Sequence, residues 1–189
     1  MSKFKHIGSA TTTTLVSKSS GLTSINSATN RRGFNRIDIP KISITNFDTS
    51  SATVKVFLDG VTKAVRTVNQ TTGTGSTVIF DQENVISRSD LIEVGDELVD
   101  GADATPHGVV TVVNTSGNTK QVTRTTSSEI DNDQTINFKK PDHYITGVIN
   151  IPAGVILVLD ESFSFNLYQH ELKLTNTTTG TANLTIRID

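Results

Sequence analysis

Residues 143–176, HYITGVINIPAGVILVLDESFSFNLYQHELKLTN, decide the fold. Four short apolar runs follow one another in it, at 144–150, 155–159, 162–166 and 171–175. Pro152, Ala153 and Gly154 separate the first two, Asp160 and Glu161 the next two, and Leu167, Tyr168 and Gln169 form a looser link to the last. Runs this short, divided by turn chemistry this frequent, predict strands folded back on one another in an antiparallel sheet.

The flanks continue the pattern. Ile37 and Ile39 alternate on one parity and Ile42 and Ile44 on the other, with Pro40 between. Proline cannot donate to a ladder, so this reads as an edge strand or as two strands in line with a bulge. Residues 46–51 form a turn cluster, and 53–58 a strand with Val54, Val56 and Leu58 inward. Asp59-Gly60 then joins it to 61–68, the sequence signal of a type I′ hairpin. After a turn at 179–181, residues 182–188 alternate again, with Leu184, Ile186 and Ile188 inward.

Between these flanks the character changes. TVIF (77–80) and TINF (135–138) bracket an acidic, glycine-containing stretch at 90–101 and a hairpin of 108–114 with 120–125 around a turn at 115–118. Matching short strands at both ends are what an insertion leaving and re-entering a host sheet would have. The expected fold class is therefore all-β. It is an antiparallel, jelly-roll-like β-sandwich made of 36–76 and 139–189, with a small inserted β-subdomain at 77–138. Residues 1–35 make an extended Ser/Thr-rich N-terminal arm that cannot offset its ordering entropy alone and is expected to lie on something else. Helix content is expected to be very low, because the nearest approach to a helical stripe, 83–100, is interrupted by Gly95.

Composition closes several branches of chemistry. The 189 residues suffice for one sizeable domain, or for one carrying a smaller insertion. Cysteine is absent, which excludes thiol catalysis, Cys-ligated zinc and iron–sulfur clusters. A net charge of -2 provides no global basic field, so neither nucleic acid nor a membrane is implied as a partner. No apolar run approaches the ~20 residues of a bilayer span, and the first residues lack the apolar core of a signal peptide. A soluble protein is expected.

The chemistry-bearing residues select no site. His6, His107, His143 and His170 have no metal-ligand spacing, and none accompanies a serine in a nucleophile-elbow sequence. Glu93, Asp96, Glu97, Asp100 and Asp103, with Asp131 and Asp133, could offer oxygen ligands to calcium. They lack the loop pattern, however, and turns attract Asp for backbone reasons. Arg31, Arg32 and Arg36 with Phe34 read as a protein contact rather than a phosphate or RNA contact. Asn-x-Ser/Thr matches at Asn69, Asn114, Asn176 and Asn183 carry no weight in a sequence this rich in Asn and Thr. No catalytic, cofactor-binding or metal-binding residue is expected, no cofactor, and no enzymatic activity.

Three pieces carry a resemblance: ITNFDTSSATVKVFLDG (44–60), YITGVINIPAGVILVLDESFSFNLYQHELKLTN (144–176) and TANLTIRI (181–188). In that order they resemble small β-sandwich structural proteins of tailed-bacteriophage virions, of the head decoration, neck or tail-accessory type. In that family an IPAG-x-x-LVL turn precedes an SF strand and a hydrophobic-x-L-K-L strand. The pieces LIEVGDELVDG (91–101), GVVTVVNTSGNTKQVT (108–123) and TINF (135–138) look like a small β-module that recurs in phage head and tail proteins. The arm at 1–35 matches nothing in the pattern. The resemblance implies a non-enzymatic virion component, assembled in the host cytoplasm, with other virion proteins and copies of itself as partners. It further implies a homo-oligomer within a larger assembly, contacting neighbours through the sheet edges and the arm; the loops at 152–154 and 167–169 read as better candidates for subunit contacts than for catalysis. The alternatives are a carbohydrate- or receptor-binding β-sandwich, opposed by the absence of Trp and the presence of only Tyr144 and Tyr168, and a calcium-binding adhesin domain.

Overall fold

The structure, a computed structural model, describes residues 3–17, 36–72, 76–81, 92–114, 120–125 and 128–189. Its strands run in chain order as β1 (Lys3–Val16), β2 (Arg36–Ile39), β3 (Ile42–Asn46), β4 (Ala52–Gly60), β5 (Thr62–Thr67), β6 (Thr77–Phe80), β7 (Glu97–Asp100) and β8 (Pro106–Asn114). They continue as β9 (Lys120–Arg124), β10 (Thr135–Lys139), β11 (His143–Tyr144), β12 (Ile149–Ile151), β13 (Ile156–Leu159), β14 (Phe163–Asn166) and β15 (His170–Ile188). The fold is all-β, every register described is antiparallel, and no helix occurs among the described residues. Two compact units divide the chain: Met1–Asp59 with Asp142–Asp189, and Gly60–Pro141.

In the first unit seven strands line up as four rails. β15 is one of them. On one flank β1 runs against it from Lys3 opposite Ile188 to Val16 opposite Leu172. On the other flank β3 and β4 lie end to end. The fourth rail is β11, β12 and β13, which follow β4 and then β3 from His143 opposite Leu58 to Leu159 opposite Ile42. Alternate residues of the rails point inward, as the two-residue period of a strand requires. Ile42, Ile44, Val54, Val56, Leu172, Leu174, Leu184 and Ile186 are all buried. The two-stranded sheet of β2 and β14 adds Ile37, Ile39 and Phe165 to the same core, so the sandwich sets two strands against seven. Each fully buried Leu or Ile contributes about 2 kcal/mol.

The rails explain where local reading of the sequence goes astray. The runs at 144–150 and 155–159 were expected to fold back on each other, but they continue in one line, because both pair with the β4–β3 rail. The expected turn at 179–181 does not divide two strands; β15 spans 19 residues. The first half of the run across Pro40, β2, is an edge strand of a two-stranded sheet, and the parity flip at Pro40 is not a bulge. It is the point where the chain leaves the small sheet, in which β2 pairs with β14, for the large one, in which β3 pairs with β13 and β15. Asp59-Gly60 makes no hairpin either. β4 belongs to the seven-stranded sheet and β5 to another, and neither Asp59 nor Gly60 has the positive φ of a type I′ turn. Gly60 is needed for closeness instead, since a Cβ there would stand 1.8 Å from the carbonyl oxygen of Lys140.

The arm also departs from expectation. Its described part, β1, lies on the chain's own β15 and buries Ile7, Leu15 and Val16, so cross-strand pairing provides the stabilisation that its composition lacks. Residues 18–35 lie outside the described residues.

Three of the four rails are interrupted at one level, beside the continuous β15. The register of β1 shifts between Ile7 and Ser9 and again before Thr11; 47–51 separates β3 from β4, and 152–155 separates β12 from β13. Asn46 fills this crease and is fully buried. Its Nδ2 donates to the carbonyls of Ser50 (2.8 Å) and Ile151 (2.9 Å), and its Oδ1 accepts from the amide of Asp48 (3.0 Å). Its own amide donates to Val155 O, and its carbonyl accepts from Gly154 N, both at 3.0 Å.

The second unit is a six-stranded sheet in the order β5-β10-β7-β8-β9-β6. It curls until its end strands meet: Val68 bridges Phe80, Asn69 N donates to Ile79 O (2.9 Å) and Asp81 N to Thr67 O (3.0 Å). Phe80 and Phe138 meet edge to face in its core, with centroids 5.5 Å apart. The unit is wider than the 77–138 subdomain expected from sequence, because β5 pairs with β10 here rather than joining the host sheet. The hairpin of β8 and β9 is present, with its turn at 115–118 outside the described residues.

Asn46→Ala strips a partner from the carbonyls of Ser50 and Ile151 and from the amide of Asp48. It is expected to lower the unfolding free energy by about 3 kcal/mol, read from urea denaturation. Gly60→Ala is expected to destabilise strongly, whereas Gly147→Ala, whose Cβ would meet nothing within 4 Å, leaves the melting temperature within a degree or so.

Candidate interaction surface

The large sheet has two free sides among the described residues, and they differ in chemistry. β1 bears devices that keep an edge from pairing: Lys5 and three register shifts. β13 bears none of them. Its sequence, ILVL, is wholly apolar and uncharged, and its register with β3 is regular over all four residues. Leu157 and Leu159 turn inward and stay only half-buried against the core, while Ile156 and Val158 face solvent at 56% and 45% exposure.

Cross-strand register extends this face across the rails. Ile156 stands beside Thr45, Thr185 and His6 in turn, and Val158 beside Ser43, Arg187 and Phe4. Phe4 is roofed by Arg187, whose guanidinium lies 6.0 Å from the ring centroid, and Arg187 is tethered to Asp189 at 2.7 Å. The apolar content of this face therefore concentrates at the β13 side, where Val155 and Phe47 are also exposed. Sequence reading missed it, although a signal was present. Five consecutive apolar residues, 155–159, normally mark a strand covered on both faces, and an edge strand with that pattern is short of a cover.

The residues singled out by sequence do not converge on one site. His6 is exposed on β1, His143 is exposed on β11, and His170 is half-buried at the start of β15. His107, in the second unit, is buried with its Nδ1 3.2 Å from Ser128 Oγ. Arg124 donates through Nη1 to the carbonyl of His107 (2.9 Å) and to Ser128 Oγ (3.1 Å). A nucleophilic triad needs a carboxylate behind its histidine to stabilise the imidazolium. Here burial, and then the Arg124 charge, push the His107 pKa down, so the imidazole is poorly placed to accept a proton.

The acids serve as counter-ions and turn formers. Asp96, fully buried, lies 2.7 Å from Lys63 Nζ and 3.0 Å from Lys140 Nζ, and its carboxylate accepts the Glu93 amide at 2.7 Å. Glu93 bridges the same two lysines at 3.0 and 2.7 Å. Hydrogen bonds from Lys140 and Lys63 hold its carboxyl down at about 2. Burial opposes the charge of Lys140, but its two carboxylate partners outweigh that and raise its pKa. Asp100 is held below the carboxylate range by the Ala102 amide and then by Gln134. Among the described residues no three His, Asp or Glu side chains group in a way that could hold a metal ion.

Arg36 opens β2 and pairs with Asp38 at 3.1 Å, both exposed. It lines a shallow cleft of about 500 Å³ with Ser164, Phe165, Asn166 and Gln169. Arg31, Arg32 and Phe34 lie outside the described residues. Of the two loops marked for contacts, 152–154 is exposed, whereas in 167–169 Leu167 is core and only Tyr168 is well exposed.

No family model and no curated protein matches the chain. Among solved structures it was compared with VP17, a capsid protein of bacteriophage P23-77, at 9% identity over 100% of this chain and 97% of that one, with a TM-score of 0.16. A score that low establishes no shared fold.

The shifted groups fix how the second unit responds to acid. The lowered pKa of His107 means that the unfolded chain binds its proton first, so stability declines as pH falls below about 6.5. The lowered pKa of Glu93 adds a contribution that is complete above 4.5 and is lost as pH falls towards 2. Chemical denaturation from pH 8 to 2 is expected to show both declines, and His107→Gln to remove the first while leaving the second.

Proposed function

We propose that the chain is a non-enzymatic structural component of a phage virion that packs against neighbouring capsid, neck or tail subunits through the edges and outer face of its large sheet. The observation that carries this reading is the β13 edge, an apolar, uncharged strand with no neighbouring strand on one side among the described residues and two aliphatic side chains in solvent. Such an edge is an aggregation hazard for a free-standing protein and an asset for one built into an assembly. The similarity of 44–60, 144–176 and 181–188 to the strand-turn-strand pattern of virion β-sandwich proteins supports the same reading. Other virion proteins and copies of this chain are its partners in this role, and the virion is its location.

The test is to purify particles from a lysate of the producing host on a density gradient and quantify the chain by mass spectrometry. It is expected to co-sediment with particles in many copies per particle and to resist washing with high salt. Recovery only at the top of the gradient would refute the role.

A further inference from the structure

The β13 edge can be assigned an occupant. We propose that β13 pairs antiparallel with β13 of a second copy of this chain, about a two-fold axis normal to the sheet at Leu157, so that the large sheet continues across both copies.

Three observations lead there. First, the core is unfinished at this edge: Leu157 and Leu159 point inward but remain partly exposed. Second, the two free sides of the sheet are not equivalent. β1 is guarded by Lys5 and by register shifts, whereas β13 is regular and uncharged. Third, the charges favour self-pairing in one orientation. Both copies must keep the same face outward, and residues directly opposite in an antiparallel pair share a face, so the axis passes through a residue. At Leu157 it sets Ile156 opposite Val158 and Val155 opposite Leu159, which gives each an apolar neighbour. Asp160 then falls opposite Gly154, and Glu161 opposite Ala153. A parallel pairing would stack each acid on its own copy, which is unfavourable. An axis at Val158 would set Ile156 opposite Asp160 and Val155 opposite Glu161. An apolar edge ending in two acids thus complements its own reverse.

The pairing names the partner for one edge of the surface proposed above and rests on that reading only in treating the edge as a contact. The two fail separately. A monomer in solution that still enters particles removes the self-pairing alone, and a dimer absent from particles removes the virion role alone.

Sedimentation velocity and light scattering on the full chain are expected to give twice the 20.3 kDa of one copy at micromolar concentration. Ile156→Lys and Val158→Lys, both at solvent-facing positions, are expected to give a monomer with unchanged far-ultraviolet circular dichroism. The chain has no cysteine of its own, so Leu157→Cys supplies one thiol per copy. Across the axis the two Cα atoms would stand about 5 Å apart, within disulfide reach. Mild oxidation should therefore cross-link Leu157→Cys, while Val148→Cys, exposed but off β13, stays monomeric on a non-reducing gel. The inference is overturned by a monomer at every concentration, which is also the outcome if residues 18–35 or another protein cover the edge. A dimer whose mass neither lysine variant changes, or cross-linking no greater at 157 than at 148, overturns it as well.

Discussion

The large sheet depends on one buried side chain that donates and accepts at once. At the level of Asn46 the rails stop being regular ladders, and each chain segment must find partners for backbone groups that its neighbours no longer supply. An apolar residue there would leave those groups without their partner, the buried Ile151 carbonyl among them, and a carboxylate would set its charge against two carbonyls. A neutral amide offers donors and an acceptor together, which is what the crease requires. The same position fixes the register of β3 against β13, because the Asn46 main chain exchanges bonds with Gly154 and Val155. Gly154, at a φ of 70°, is the residue best able to present its amide from that backbone conformation.

The second unit stores its polar groups differently. Lys63, Glu93, Asp96 and Lys140 form a two-by-two arrangement in which each carboxylate touches both ammonium groups. With Asp96 fully buried, its desolvation is offset only while both lysines remain in place. Lys140 is also the residue whose carbonyl crowds Gly60. The segment where the chain enters this unit and the segment where it leaves are therefore held together by backbone closeness and by charge at neighbouring positions.

What the sequence made legible follows from how local the determining forces are. Inward positions such as Ile42, Val54 and Leu184 were readable from alternation, because burial of every second residue is a property of the strand itself. The β8–β9 hairpin was readable because its turn lies within a few residues of both strands. Pairing between β1 and β15 was not, since no local signal links a threonine-rich segment to its partner. Gly60 looked like a turn glycine because steric crowding by a residue 80 positions away leaves no trace in its neighbours. Asp96 and Glu93 could not be told from turn formers or calcium ligands while the counter-ions of Glu93 lay 30 and 47 positions away, and those of Asp96 were the same two lysines. The outward apolar pair of β13 was visible as a run, but that the strand lies at an edge is a property of topology alone.

One consequence of the rail arrangement concerns time rather than stability. Thr12 meets Thr175 across 163 positions, and the whole of β1 shares that remoteness from β15. During synthesis β1 emerges early and has nothing to pair with until β15 follows, so the first unit is a late-closing structure with high contact order. The second unit, Gly60–Pro141, is continuous in sequence and free to form while the chain is still being made. The insertion is thus able to close on contacts near in sequence before the long-range pairing of its host is made.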